Sequence, residues 1–445
     1  MSDQSFLKAL FDVRREERPL AALMSFYFFL VITSFWILKP LKKTLFIVYY
    51  QQSGFDLLSW HFNAPQAELL AKVLNMVVAY LAVIAFSALS SRLRRQRLTI
   101  VFTSFFMMSY IVLASVIDEP SASTVWIFYL FGDLFSTIMV ATFFSFLNDS
   151  VNPNSARRLY GVVGLGGVLG GVFGTTSLSA LIDTLTYSQW LFVTFGLGAM
   201  IMLIATAAGR RVDREPEMSS AGTPEVSDPS PRGNPAIDGA RLVFQSRYLL
   251  SIVGVVAIYE IVSTILDFQF TSAIHHYLSG DEIGRHFSRV YAISNAVSLL
   301  VQLFLTSFVM RRFGLAVALL VLPVAIFCSS AAFFAMPILL IGSVLNTADS
   351  GFSYSLNQSA KEALYVPTSR DEKYKAKAFI DMFVQRFAKA IAVGVSLVVT
   401  TLVEDFSGVR WLSALTGPLV VFWALAARSA GRQFDLLTED EEPSS

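Results

Sequence analysis

Apolar residues in this chain neither alternate nor fall into narrow stripes; they come in long runs broken by short polar connections. A helix needs about 20 mainly apolar residues to cross a bilayer. Runs of that length predict about twelve spans, near 20–47, 66–90, 98–117, 124–148, 161–183, 189–209, 249–274, 287–309, 314–335, 337–358, 379–403 and 409–428. Backbone groups in lipid must bond within the segment or around a closed barrel. Barrel strands would alternate over about ten residues, so the runs are helices. The expected fold is an all-α membrane protein of about twelve transmembrane helices in two pseudo-symmetric six-helix bundles.

Between the sixth and seventh runs the pattern stops. Residues 210–247 are rich in Pro, Ser, Gly and acids and show no hydrophobic face, which reads as a disordered cytoplasmic linker. It divides the chain into an N-terminal half (1–209) and a C-terminal half (248–445). The halves echo each other. Ser145-Phe-Leu-Asn-Asp-Ser150 closes the fourth span, Tyr354-Ser-Leu-Asn-Gln-Ser359 closes the tenth, and each precedes a basic connection. Corresponding positions in two halves are what a duplicated six-helix unit leaves behind.

Composition agrees. Of the 445 residues 54% are hydrophobic and only 15% charged, against about 25% charged in soluble domains. Net charge is +1, so nucleic acid is not an expected partner, whereas membrane lipid is. The charges present are sided. With the N-terminus placed in the cytoplasm, 25 of the 34 Lys and Arg fall on the inner side of the predicted spans and three on the outer. Both termini are therefore predicted cytoplasmic. No cleavable signal is recognisable at the N-terminus. Cys328, the one cysteine, lies in an apolar run and is expected to be a small buried hydrophobe. His61, His275, His276 and His286 show no metal spacing and read as outer-surface residues.

Charges inside the spans carry the chemistry, because each costs about 2.5–3.5 kcal/mol at a helix centre on insertion scales. Lys39, Lys42 and Lys43 stand at i, i+3 and i+4, on one face of the first span. They would hold a phosphate or carboxylate; alternatively the helix ends near Leu38 and the lysines snorkel to the interface. Lys72 can pair with Glu68 one turn earlier. Asp133, Glu260 and Asp267 lie well inside their spans, as transport groups or as structural ion pairs. Lys377 and Asp381 are an i, i+4 pair that can bridge. Arg386 and Lys389 lie deeper on that helix, with Asp349 on the tenth span as a candidate counter-charge; Asp267, Asp349, Asp381, Arg386 and Lys389 are read as coupling or ion-pair candidates. The glycine run from Gly161 to Gly174 suits close helix packing. It is not a phosphate loop, since no Gly-Lys-Ser/Thr follows. No nucleophile–base pair and no metal cluster is recognisable. The expectation is a carrier rather than an enzyme, with no cofactor, and a monomer would suffice.

Several stretches resemble the ATP/ADP translocase family of nucleotide carriers of intracellular bacteria and plastids, and its broader bacterial relatives. They are Asn357-Gln-Ser-Ala-Lys-Glu-Ala-Leu-Tyr365, Asp371-Glu-Lys-Tyr-Lys-Ala-Lys-Ala-Phe-Ile-Asp381, Ser155-Ala-Arg-Arg-Leu-Tyr-Gly161 and Leu38-Lys-Pro-Leu-Lys-Lys43. The resemblance implies a fold similar to the major facilitator superfamily. It implies secondary transport by alternating access, with transport or exchange of an anionic metabolite such as a nucleotide, in a bacterial inner membrane. That family uses two lysines and two glutamates in its spans. Asp133 matches the first glutamate, Glu260 the second and Lys377 the second lysine. Lys72 stands for the first lysine about one position out of register, and Asp replaces Glu at 133. Lys39, Lys42, Lys43, Lys72, Asp133, Glu260 and Lys377 are thus the expected substrate-binding set. The rivals are a proton-coupled major-facilitator-type carrier of an unrelated solute, a lipid flippase, and a membrane-bound scaffold or sensor.

Overall fold

The computed structural model describes residues 14, 16–90, 92–151, 153–214, 235–368, 375–403 and 406–439. The first helix, α1, runs Arg18–Tyr49, with proline in its opening turn and Pro40 inside it. A two-stranded hairpin follows, β1 Phe55–Leu57 and β2 Trp60–Phe62. Then come α2 Ala64–Ser90, α3 Arg95–Ala114, α4 Ala122–Asn148, α5 Pro153–Leu181 and α6 Tyr187–Arg214. A short helix α7, Pro235–Gln245, leads into α8, Arg247–Tyr277, and α9, Asp281–Leu300. After a π turn at Val301–Thr306 come α10 Ser307–Ala335 and α11 Leu339–Phe352. A second π turn, Ser353–Asn357, joins α11 to α12, Gln358–Ala363. The single turn α13, Lys377–Phe379, and a third π turn, Ile380–Val384, precede α14, Gln385–Leu402; α15 is Ser407–Glu439.

Ten helices among the described residues are long and apolar enough to cross a membrane. The stretch Asp281–Ala335 is one of them; at 1.5 Å per residue it is about 80 Å long, far more than about 30 Å of hydrocarbon. It is divided at Gly314, whose φ of 81° and ψ of 176° interrupt the helix, between the two spans the sequence predicts there. The predicted span 337–358 is present as α11, its π turn and α12. The all-helical fold of about twelve spans thus stands.

Helix starts follow local chemistry. Asn63 and Gln66 exchange side-chain-to-backbone hydrogen bonds of 3.0 Å each at the start of α2. Thr186 and Gln189 do the same at α6, at 3.3 and 3.0 Å. These are capping boxes that satisfy amides otherwise orphaned in the first turn. Ser121 and Ser246 cap α4 and α8 through the amides of Thr124 and Leu249.

The residues cluster into two compact units. The first comprises described residues of Met1–Phe55, Leu74–Asp228 and Gly280–Ala292; the second comprises those of Asp56–Val73, Pro229–Ser279 and Ile293–Ser445. Within the first, α1 and α5 pack backbone to backbone. A Cβ on Gly166 would stand 2.3 Å from the Ser25 carbonyl oxygen, and one on Gly170 2.4 Å from that of Phe29. Only glycine permits that approach, and the Thr33 hydroxyl donates across it to the Gly170 carbonyl at 3.2 Å. Aromatics pack α1 against α4: Tyr27 meets Phe143 edge-on and Phe28 stacks on it at 4.5 Å. In the second unit, α8, α10, α11 and α15 share an apolar core that includes Leu249, Ile252, Leu322, Leu345 and Trp423.

Two features differ from the sequence reading. Cys328 is exposed, not buried; its helix face also shows Val324 and Phe327 exposed, an apolar surface suited to lipid. The segment read as a linker holds structure at both ends, where α6 continues to Arg214 and α7 occupies 235–245. Residues 215–234 lie outside the described residues, as does the tail from 440.

Candidate functional site

In the first unit the three lysines of α1 lie within the helix, which continues past Pro40 to Tyr49. The helix end near Leu38 that snorkelling requires is therefore not there. Lys42 and Lys43 are only 5% and 4% exposed. The Lys42 ammonium forms an ion pair with Asp133 of α4 and lies 4.4 Å from the centre of the Tyr129 ring. Asn75 of α2 donates to the other Asp133 oxygen at 2.5 Å, so the carboxylate is held from both sides. The stem of Lys42 passes over Gly132, where a Cβ would meet Cδ at 2.7 Å. Lys39 sits over the Trp36 ring at 4.5 Å and the Tyr291 ring at 5.4 Å, and Lys43 over Phe287 at 5.3 Å. Aromatic faces stabilise a cation without cancelling its charge. The α1 site is a cluster of three buried or half-buried lysines against aromatic rings, with Lys42 joined to Asp133.

The second unit carries the remaining candidates. Lys72 at the start of α2 bridges Asp267 of α8 at 2.5 Å and Glu68 at 3.5 Å; Glu68 is buried. Glu260, two turns before Asp267, meets Lys389 of α14 at 3.4 Å. Between these, Ser263 donates to Asp349 of α11 at 2.7 Å. Lys377 pairs with Glu362 at 2.5 Å and lies 5.3 Å from the Tyr365 ring. Its i, i+4 neighbour Asp381 accepts instead from Gln385 at 3.2 Å. The regular helical spacing that pairing assumed is absent, because the chain opens into a π turn at Ile380. Arg386 follows on α14, half-buried.

Thus Lys42 and Asp133 come together beside Lys39 and Lys43, and Lys72, Asp267, Glu260, Lys389 and Asp349 attach to α8 or its neighbours. Lys377 and Asp381 stand apart at the junction leading into α14. Asn75, Tyr129 and Ser263 were not singled out from the sequence. Asn75 had one available signal: an amide in an apolar run, one turn after Lys72.

Apolar helices enclosing ion pairs, divided between two units, define the class: a multi-pass membrane protein of the major-facilitator fold. Solved structures agree on that fold. The nucleoside transporter NupG aligns with a TM-score of 0.64 at 14% identity, over 92% of this chain and 99% of its own. A bacterial homolog of the human lysosomal transporter Spinster aligns with a TM-score of 0.52 at 14% identity, over 97% of this chain and 100% of its own. The TLC ATP/ADP transporter family matches residues 121–340 and 336–434, and the chain belongs to that family. ADP,ATP carrier protein 2 of Chlamydia trachomatis is 25% identical over 359 residues, 70% of this chain and 66% of the relative. ADP,ATP carrier protein 1 of Rickettsia bellii is 19% identical over 495 aligned positions, 98% and 97% of the two chains. The chloroplastic ADP,ATP carrier protein 1 of Arabidopsis thaliana is 21% identical, and the chain spans 55% of its length.

Proposed function

We propose that this protein is a secondary carrier that moves an anionic nucleotide across a bacterial cytoplasmic membrane by alternating access, exchanging one nucleotide for another. The observation that carries the reading is the burial of Lys42 and Lys43, 5% and 4% exposed, in an apolar helix that also bears Lys39. Like charges so close are costly in a low dielectric, and a polyphosphate is the ligand that relieves them. The Asp133 carboxylate neutralises Lys42 while no substrate is bound. A phosphate entering the cluster competes with it, so the charge is preorganised but not permanently open. Lys72, Glu260 and Lys377 complete the substrate set by family resemblance, each already held by an opposite charge. The relatives' names specify ADP and ATP, which makes those the nucleotides to test first.

The halves 1–209 and 248–445 are the moving bodies in this reading, with both termini in the cytoplasm. The test is uptake of labelled ATP or ADP into liposomes holding purified protein and internal nucleotide. Losing one charge-assisted contact costs about 1.5–3 kcal/mol, so Lys42→Gln should weaken half-saturation about tenfold to a hundredfold. Wild-type uptake by that variant discards the lysine site; no nucleotide flux through the wild type discards the carrier of nucleotides.

A further inference from the structure

The second unit contains a polar seam that nucleotide binding does not use. Along α11 and its π turn, Asn346, Asp349, Ser350 and Ser353 fall at i, i+3, i+4 and i+7, one face of the helix. All four are buried. That face lies along α8 in antiparallel register. A Cβ on Gly342 would meet Ala273 at 3.3 Å, Asp349 accepts from Ser263, and Ser353 shares a hydrogen bond with Tyr259. Asp349 stands ten residues beyond Leu339, about 15 Å along the helix axis, or half the thickness of the hydrocarbon layer. It is 6% exposed. One turn before it, Asn346 is 4% exposed and its carbonyl oxygen Oδ1 receives no hydrogen bond. A buried oxygen acceptor without a donor asks for a partner such as a water or an ion; on this face, beside a carboxylate, a cation fits.

We propose that Asp349, with Asn346 and Ser263, forms a binding site for a monovalent coupling cation, carried with the nucleotide in each cycle. The site takes a proton, bound to the Asp349 carboxylate and donated to Asn346 Oδ1, or a sodium ion shared among the same oxygens. All the ligand atoms are hard oxygens, as such an ion prefers. The charged and titratable groups around the seam are Tyr259, Glu260 and Asp267 of α8, Tyr354 of the π turn, and Lys389, which meets Glu260. On α10 the arginines Arg311 and Arg312 are exposed in its opening turns. The part of α9 that packs here brings Ser294, bonded to Thr347 at 3.3 Å, and Val297.

The inference rests on the nucleotide-carrier reading, and the test separates the two. Liposomes with the wild type or Asp349→Asn are assayed for nucleotide exchange without an ion gradient. They are then assayed for net accumulation of nucleotide under an inward proton gradient or an inward sodium gradient. The wild type should accumulate nucleotide in one of the two arms, which identifies the cation. The variant should keep exchange and fall to the equilibrium ratio in that arm. Accumulation by Asp349→Asn at the wild-type level, or accumulation by the wild type in neither arm, overturns the site while the carrier reading stands. If the wild type shows no exchange, the carrier reading fails. Direct binding to purified protein then decides the site: radioactive sodium, and proton uptake followed with an indicator dye. A loss of one bound cation in both Asp349→Asn and Asn346→Ala supports it, and unchanged binding overturns it.

Discussion

Neutralising Asp133 tests whether Lys42 is held as a buried ion pair. Asp133→Asn keeps the shape and leaves the Lys42 ammonium, 5% exposed, facing an amide and the Tyr129 ring. Asp133 itself is 26% exposed, so solvent screens the pair only partly. Removing one partner of a buried pair costs about 3–5 kcal/mol, because the other charge stays desolvated. In a body of about 200 residues each kcal/mol moves the midpoint by about 2–4 °C, so the apparent melting temperature should fall by about 6–20 °C. Lys42→Gln alone should cost less, since Asp133 retains the Asn75 amide at 2.5 Å. The double variant leaves neither charge, and its loss should be smaller than the sum of the single losses by about 0.5–3 kcal/mol, the range for groups in direct contact. Thermal unfolding in one detergent, read from intrinsic fluorescence, supplies all four midpoints. Additive losses would falsify the pair; so would a double variant less stable than that sum.

Other expectations follow from the same geometry. Gly170→Leu should prevent α1 from seating on α5, since even a Cβ would lie 2.4 Å from the Phe29 carbonyl oxygen; loss of monodisperse protein on size exclusion is the readout. Gly132→Ala presses on the Lys42 stem at 2.7 Å and should shift the half-saturation for nucleotide while leaving the yield of folded protein near wild type. Cys328, on an exposed apolar face, should react with a membrane-permeant maleimide in intact vesicles and resist a charged, impermeant one. Lys72→Met removes the ion pairs to buried Glu68 and partly exposed Asp267 and should destabilise the protein by less than the ~3–5 kcal/mol of a fully buried pair; Lys72→Arg should recover most of it.

The spans were legible because lipid demands long apolar runs and helices satisfy their own backbone. Even the division near Gly314 showed, as a gap between two runs. What each span faces was not legible. A helix apolar on all sides carries no inward stripe, which is why Cys328 looked like a core residue. The candidate charges were visible from their cost, but their partners were not. Lys377 and Asp381 have helix-pair spacing, yet the π turn at Ile380 removes the regular geometry and Lys377 reaches Glu362. Lys42 and Asp133 are 91 residues apart, and only the packing of α4 on α1 brings them together. Helix α7 was hidden by the Pro and Ser of its surroundings, although Leu242 and Val243 pack into the core.

The charges divide by unit in a way that bears on coupling. In the first unit Lys39, Lys42 and Lys43 share one helix, with Asp133 of α4 paired to Lys42. In the second unit Lys72 bridges Glu68 and Asp267, Lys389 meets Glu260, and Asp349 accepts from Ser263. In the proposed reading the lysines of the first unit take the phosphate anion and Asp349 of the second takes the small cation. A carrier that must bind both before it reorients would move them together, and one that can reorient with either set neutralised would only exchange. The Asp349→Asn variant distinguishes these cases, because it removes one acid from the second unit and leaves the lysines of the first as they are.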